Sequence, residues 1–253
     1  MGVEPVAETT GDQHSYEFRR HRCAADAINQ VHKTLAGAHR ATWILEGDIK
    51  GCFDEISHEW LAAKIPMEKR LLHKWLKAGV IEKRRLYPTE RGTPQGGIIS
   101  PVLANMTLDG LEGLIDQYFG KKGSKKRKHY GVHLVRYADD FIVTSKTKEL
   151  LVTKVKPLIE SFLAHRGLKL SEKKTVITHV DEGFDFLGQH VRKYKKRLLI
   201  KPSQKSIHRL LNSVKTMFKK NRASTQSEVI TMLNPQIRGW ANYHRTSCAR
   251  KVF

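Results

Sequence analysis

Three acidic side chains stand out because of where they lie. Asp48 closes the apolar, β-branched run TWILEGDI, and Asp139 and Asp140 sit between two short apolar runs, 134–137 and 141–144. Buried strands disfavour carboxylates, because an ion that loses its hydration must be compensated. Two compensations are open: ion pairs to the chain's many Lys and Arg, or divalent metal. Hard oxygen ligands at strand ends suit Mg²⁺, which keeps several waters and is completed by substrate phosphates. Two such ions about 4 Å apart can activate an attacking hydroxyl and stabilise a leaving oxygen. Neighbouring residues on a strand point to opposite faces, so one of Asp139 and Asp140 is expected to be the better ligand unless a tight turn intervenes. An Asp-Asp pair alone is also an ordinary acidic turn.

The elements that must position these groups follow from periodicity. Apolar positions Ala24, Ala27, Ile28, Val31 and Leu35 have helical spacing. Residues 42–49 read as a buried strand, and Ser57 as the cap of a short helix carrying Trp60 and Leu61. RGTPQGG, residues 91–97, is a Gly/Pro-rich loop. Ser100–Pro101 then opens a helix running through Leu103, Met106, Leu111, Leu114 and Tyr118. Residues 120–130 (GKKGSKKRKHY) form a basic loop, able to track a phosphate backbone or to remain disordered. A hairpin with an acidic turn holds Asp139 and Asp140. Residues 149–165 are helix-periodic, residues 175–200 alternate as short strands, and the remainder is basic and helical with a break at Asn234–Pro235. The order predicts an α+β fold, an antiparallel sheet with helices on one face.

The chain has 253 residues, with 46 Lys and Arg against 25 Asp and Glu, a formal charge of +21. Such an excess attracts polyanions and favours nucleic acid as partner. At 40% hydrophobic residues the chain can bury a core, which excludes wholesale disorder. No apolar run approaches the roughly 18 residues of a membrane span, and none resembles a secretory signal. Cys23, Cys52 and Cys248 are scattered, without a disulfide framework or a CxxC site, as in a reducing compartment.

Three segments in this order, GDIKGCFDEI, RGTPQGGIISPVLANMTLDGLE and RYADDF, resemble reverse transcriptases, most of all those encoded by bacterial group II introns (the intron maturase family). LKLSEKKTVITHV, GFDFLGQHVRKY and NPQIRGWANYH fit the same pattern, so the resemblance runs from about residue 15 to residue 253. It implies a right-hand polymerase palm with partial fingers and a partial helical thumb. It implies two Mg²⁺ ions held by Asp48, Asp139 and the backbone carbonyl of Ile49, with Asp140 in support. Phe53 would pack under the sugar of the incoming nucleotide and exclude a 2′-hydroxyl. Gln95 and Gly96, flanked by Pro94 and Gly97, would line the nucleotide and template pocket, with Tyr137 also against substrate. Lys174 would face the triphosphate and protonate the leaving pyrophosphate, with Lys173 as competitor. Phe186, Leu187 and Gly188 would hold the primer end. Arg19 and Arg22 would lie near the template, although Arg20 and His21 stand where the family usually has small or Pro-Gly residues.

The resemblance divides the chain into a disordered tail (1–14), partial fingers and palm (15–198), and the start of the thumb or maturase-specific helices (199–253). In RGWANYHR, Arg238, Trp240, Tyr243, His244 and Arg245 suit phosphate contact and base stacking, or core packing with solvated arginines. The implied activity is RNA-directed DNA polymerisation in the bacterial cytoplasm, associated with RNA or the nucleoid. Its partners would be intron or template RNA, a DNA primer and deoxynucleotide triphosphates, without a membrane. Family segments before residue 15 and after the first thumb helices are expected to be missing. Two other readings follow: a non-catalytic RNA-binding splicing cofactor, and an inactive remnant.

Overall fold

The computed structural model describes residues 3–37, 40–82, 85–87, 89–93 and 97–248. In chain order the helices and strands are α1 (Glu4–Thr10), α2 (Ala24–Leu35), β1 (Trp43–Asp48), α3 (Cys52–Glu55), α4 (His58–Lys64), α5 (Lys69–Leu76), β2 (Val80–Glu82) and β3 (Arg85–Tyr87). There follow α6 (Ser100–Leu108), α7 (Leu111–Phe119), α8 (Lys125–Tyr130), β4 (His133–Tyr137) and β5 (Asp140–Ser145). Then come α9 (Lys148–Leu150), a π-helical turn (Leu151–Val155), α10 (Lys156–Ala164) and β6 (Val176–His179). The last elements are β7 (Phe184–Phe186), β8 (Gln189–Tyr194), β9 (Arg197–Pro202), α11 (Gln204–Lys220) and α12 (Gln226–His244).

The chain divides into two compact units, the first made of residues 1–35 and 39–178 and the second of residues 36–38 and 179–253. The expected boundary at 198/199 therefore moves towards the N-terminus, because β7–β9 cluster with the C-terminal helices. The first unit is built on a four-stranded sheet in the order β4-β5-β1-β6. β5 is antiparallel to both β1 and β4, with Asp48 opposite Asp140 and Gly47 opposite Phe141. Strand alternation puts Gly47, Phe141, Arg136, Leu45 and Val143 on one face and Asp48, Asp140, Tyr137, Ile44 and Ile142 on the other. The first face meets the larger apolar core, which includes Leu61, Leu103, Leu108, Ile115, Ile159 and Leu163. Phe141 to Ser145 are all buried, so both faces of the central strand are covered. α2 packs on β4 and buries Ala27, Ile28, Val31 and Leu35.

Several sequence expectations change. Residues 1–14 are not a disordered tail: residues 4–10 form α1, and Asp12 and His14 are buried. The helix expected from Ser100 to Tyr118 is two helices, interrupted at Asp109–Gly110, where Gly110 takes φ +92°. Ser100 lies inside α6 and Ile99 precedes it as N-cap. The basic loop contains α8, capped by Ser124 and ended by Gly131 in the left-handed conformation. No break occurs at Pro235: α12 runs through it, its start secured by a Thr225–Glu228 capping box. Ser57 does cap α4, accepting from the Trp60 amide.

The second unit is an antiparallel meander, β7-β8-β9, followed by α11 and α12. Val180, Phe184, Phe186, Val191 and Ile200 are among its buried apolar residues. Among the described residues no helix is long and apolar enough to cross a membrane.

The Gly47–Phe141 pair generates a stability prediction. A Cβ built on Gly47 would lie 2.2 Å from the Phe141 ring, which is itself 1% exposed. Neither strand can shift without breaking the ladder. Gly47→Ala is expected to destabilise the protein by about 2–3 kcal/mol, read as a lower urea midpoint at unchanged slope.

Candidate active site

The turn between β4 and β5 resolves the problem of adjacent aspartates. Tyr137 pairs with Asp140, so the loop is only Ala138–Asp139. Ala138 has φ +51° and is buried, which is the positive-first pattern of a II′ hairpin turn. Asp139 thus belongs to the turn and Asp140 to the strand, and strict face alternation no longer separates them. Asp140 stands directly across from Asp48, a pairing that brings Cβ atoms to about 5 Å.

Arg136 holds this turn from below. Its side chain is fully buried, ion-paired to Asp109 at 2.6 Å and donating to Asn105 Oδ1 at 3.0 Å and to the Ala138 carbonyl at 3.4 Å. Burial pushes the Asp109 carboxyl up to about 6, with Arg136 opposing the rise. Asn105 also donates to the Glu17 carbonyl at 2.7 Å.

Asp48 and Asp139 line one cavity of about 340 Å³, together with Ile49, Phe53, Ser171 and Lys174. Residues 169–171 run beside the end of β1: the Lys50 amide donates to Lys169, and the Ser171 amide to the Asp48 carbonyl. Ile49 and Leu170 face each other between these bonds, so the Ile49 backbone groups point away from residues 169–171. The chain then turns, with Lys174 and Thr175 amides both donating to Ser171. That turn brings Lys174, rather than Lys173, to Asp48, with Nζ 2.9 Å from Oδ1.

The electrostatics are those of crowded like charges. Burial raises the Asp139 carboxyl pKa and Asp48 adds to the rise, while Lys174 opposes it. The Asp140 carboxyl is raised by desolvation, then by Asp139 and Asp48, with Lys174 opposing the rise. Lys174 is held above its ordinary value, chiefly by its hydrogen bond to Asp48 and by that carboxylate's charge. Among the described residues no three His, Cys, Asp or Glu side chains form a ready-made metal cage. The donor set is all hard oxygen, and Asp48 already binds a cation in the Lys174 ammonium. It fits an ion that completes its shell with water and phosphate oxygens, not one enclosed by protein.

Phe53 is half-buried at the cavity wall, with its backbone braced by the 89–93 loop. Thr93 donates its amide to the Phe53 carbonyl at 2.6 Å and Gly92 to Ile56 at 2.9 Å. Gly92 has φ +72°, and a Cβ there would meet the Phe53 carbonyl oxygen at 2.2 Å. This close approach singles out Gly92, which the sequence reading left unmarked. Pro94, Gln95 and Gly96 lie outside the described residues. Tyr137 is half-buried on the face that carries Asp48 and Asp140.

Arg19 and Arg22, expected near a template, both bond to groups of this chain. The Arg19 side chain is 7% exposed, paired with Glu8 and bonded to the Asp12 carbonyl at 2.5 Å. Arg22 donates to the carbonyls of Gln13 and Ser15. Both secure the backbone of residues 12–15, while the Arg20 side chain remains 74% exposed beside Glu4. A residue missed in the sequence is Glu17. Burial pushes its carboxyl up to about 7, with Asp139 and Asp140 adding to the rise. No strand end or motif marks Glu17, so only the fold reveals a further carboxylate that feels Asp139 and Asp140.

In the second unit β7 and β8 form the hairpin that carries Phe186, Leu187 and Gly188. Leu187 and Gly188 form a two-residue loop with φ of +49° and +70°, the I′ pattern, and Phe186 is buried beneath it. Tyr243 donates its hydroxyl to the Leu187 carbonyl at 2.8 Å. Trp240 donates to Ser206 Oγ at 3.1 Å, and the buried His244 meets the same hydroxyl at 3.0 Å. Trp240 and His244 are thus packing residues, and Tyr243 braces the hairpin tip.

Comparison with known proteins gives a consistent picture. The profile of the reverse transcriptase (RNA-dependent DNA polymerase) family matches residues 3–191, and that of the group II intron maturase-specific domain matches residues 207–253. The group II intron-encoded protein LtrA of Lactococcus lactis subsp. cremoris is 29% identical, across 96% of this chain and 54% of that protein. Protein YkfC of Escherichia coli (strain K12) is 30% identical, across 78% of this chain and 60% of its own length. Apo telomerase from Candida Tropicalis superposes with a TM-score of 0.53 at 14% identity, covering 96% of this chain and 49% of that one, a likeness of fold alone. The chain spans little more than half the length of the curated relatives it matches.

The raised Glu17 carboxyl sets a pH dependence. Its folded value of about 7 exceeds the unfolded value near 4.3, so the native state binds that proton more tightly and stability falls as pH rises between the two. Glu17→Gln is expected to leave stability unchanged below about pH 4 and to raise it at pH 8 by about 1–2 kcal/mol, less than the roughly 3.7 kcal/mol of full linkage because solvent screens this half-buried group. Thermal melts across that range would show the gap widening; a constant gap would remove the coupling.

Proposed function

The chain belongs to the reverse transcriptase (RNA-dependent DNA polymerase) family and carries a group II intron maturase-specific domain, and from that premise we propose that it extends a DNA primer on an RNA template. The observation that carries this reading is the meeting of Asp48, Asp139 and Asp140 at the paired ends of β1 and β5, with Lys174 against Asp48 in one cavity. In the reaction the primer 3′-hydroxyl gives up its proton to water and its oxygen bonds to the α-phosphorus of a deoxynucleotide triphosphate. The bond from that phosphorus to the bridging oxygen breaks, and pyrophosphate leaves. Two magnesium ions, held by Asp48, Asp139 and the Ile49 carbonyl with Asp140 in support, would neutralise the triphosphate and acidify the 3′-hydroxyl.

The protein's own groups supply the rest. The clustered carboxylates repel one another, so the pocket favours cationic occupants over anionic ones. Lys174 stays protonated because Asp48 holds its ammonium, and that is the state from which Nζ gives a proton to the departing pyrophosphate. Phe53, its backbone fixed by Thr93 and Gly92, keeps a ring where a ribose 2′-hydroxyl would need space. Asp139→Asn is expected to lower primer extension on an RNA template by on the order of 1,000-fold with little change in primer-template affinity. Equal extension by variant and wild type would remove these carboxylates from the mechanism.

A second reading, RNA binding that assists intron folding, rests on α8. Lys121, Lys122, Lys125, Lys126 and Lys128 are exposed there, while Arg127 is buried and anchors the helix to Asp116 and to the Gly120 carbonyl. An ordered knob of like charges has its counter-ions in a phosphate backbone. Replacing Lys121, Lys125, Lys126 and Lys128 with Gln is expected to weaken RNA binding about 10- to 100-fold near 0.1 M salt. The slope of log K against log salt should become shallower by about 2–3. An unchanged slope would place the RNA elsewhere. Extension on a short primer-template should survive these changes, which separates the two readings.

A further inference from the structure

Phe18 is placed where burial alone would not put it. Its side chain is among the exposed large apolar residues, at 46%. Its backbone has φ +55°, a left-handed conformation that a bulky L residue disfavours. Both neighbours are tied down: the Glu17 carbonyl accepts from Asn105, and Arg19 is clamped between Glu8 and the Asp12 carbonyl. The chain therefore holds an aromatic ring out at a strained position, and what the ring touches explains it.

Phe18 meets Phe53 edge-on, with ring centroids 6.3 Å apart and planes at 83°, an attractive geometry for aromatic pairs. Phe53 lines the cavity that holds Asp48, Asp139 and Lys174. It is carried by α3, a single turn of four residues. The Phe53 ring packs half-buried against the main apolar core, and the Phe18 edge adds a contact to it from a separate segment of the chain. Phe18 also lines a separate cavity of about 330 Å³, with Val102 and Asn105. Shortening Phe18 would enlarge that empty space and leave the Phe53 ring without this neighbour.

We propose that Phe18 is a specificity-determining positioning residue: its ring backs Phe53 and so sets how much room remains beside the sugar of the incoming nucleotide. This rests on the polymerase reading and deepens it. Discrimination against a 2′-hydroxyl is steric, so a small swing of the Phe53 ring decides whether the oxygen fits.

The test is single-nucleotide incorporation by the whole chain on a primer-template. kcat and KM are measured for a deoxy- and a ribonucleoside triphosphate of the same base. Phe18→Ala is expected to lower the deoxy-to-ribo ratio of kcat/KM by about 5- to 20-fold, chiefly through a lower KM for the ribonucleotide. Phe18→Tyr keeps the ring edge and should keep the wild-type ratio. Phe18→Ala/Phe53→Ala should match Phe53→Ala alone, because Phe18 acts through Phe53. If Phe18→Ala melts early, Phe18→Leu, which retains apolar bulk without a ring, carries the same comparison. The inference is overturned if the wild type polymerises but the ratio is unmoved, if both sugars lose equally, or if the two substitutions multiply. A wild type that incorporates neither sugar instead defeats the polymerase reading, a distinct outcome.

Discussion

The register between β1 and β5 is the constraint on which the site depends, and it opposes local electrostatics. It sets Asp48 directly across from Asp140, and like charges opposed across a ladder destabilise it. What imposes the register is the other face of the same strands. Leu45, Phe141 and Val143 are buried in the core, each at 1% exposure or less. A one-residue slip of β5 would carry Phe141 and Val143 off that core to the opposite face of the sheet. Each such side chain contributes about 1.5–3 kcal/mol by burial, whereas two carboxylates at a solvent-open strand end repel by about 1 kcal/mol or somewhat more. Burial prevails, and the acidic cluster is assembled by apolar residues on the reverse of the sheet. Gly47 completes the lock, since only a residue without a side chain leaves room for the Phe141 ring.

The cluster's counter-charges come from two directions with different roles. Arg136 is closest in sequence to the aspartates, yet its guanidinium faces the core and is taken up by Asp109, Asn105 and the Ala138 carbonyl. It fixes the turn and does not neutralise the pocket. Lys174 arrives from a segment far along the chain and reaches Asp48 from the solvent side. Because its side chain is 68% exposed, that pair is readily exchanged for another cation. The pocket is therefore a local acidic patch on a chain whose overall charge is +21, drawing cations inward while the remaining surface draws polyanions.

Residues 12–22 show how polar segments become structural. Asp12 accepts from the amides of Gly110 and Glu112 at the start of α7, and His14 pairs with Glu112 through both its amide and its ring. Ser15 bridges Arg136, and the Tyr16 amide donates to the Arg136 carbonyl. Arg19 and Arg22 close the bend from outside. This strap fastens Glu17 and Phe18 near the carboxylates, so a stretch with little hydrophobic periodicity shapes the site through satisfied hydrogen bonds.

The sequence by itself determined the short apolar runs that build β1, β4 and β5, the position of Asp48 and the aspartate pair at strand ends, the Ser57 cap and the nucleic-acid-seeking charge. These are properties of residue type and short spacing, which local physics dictates. Only the tertiary structure decided that α1 is ordered, that Pro235 lies within a continuous helix, and that Arg19 and Arg22 turn inward. It also decided that Lys174 rather than its neighbour reaches Asp48, and that Glu17 and Phe18 join the site. Each depends on partners distant in the chain: a polar group's role is set by which donor or acceptor the fold brings within bonding distance, and no periodicity in the sequence encodes that distance.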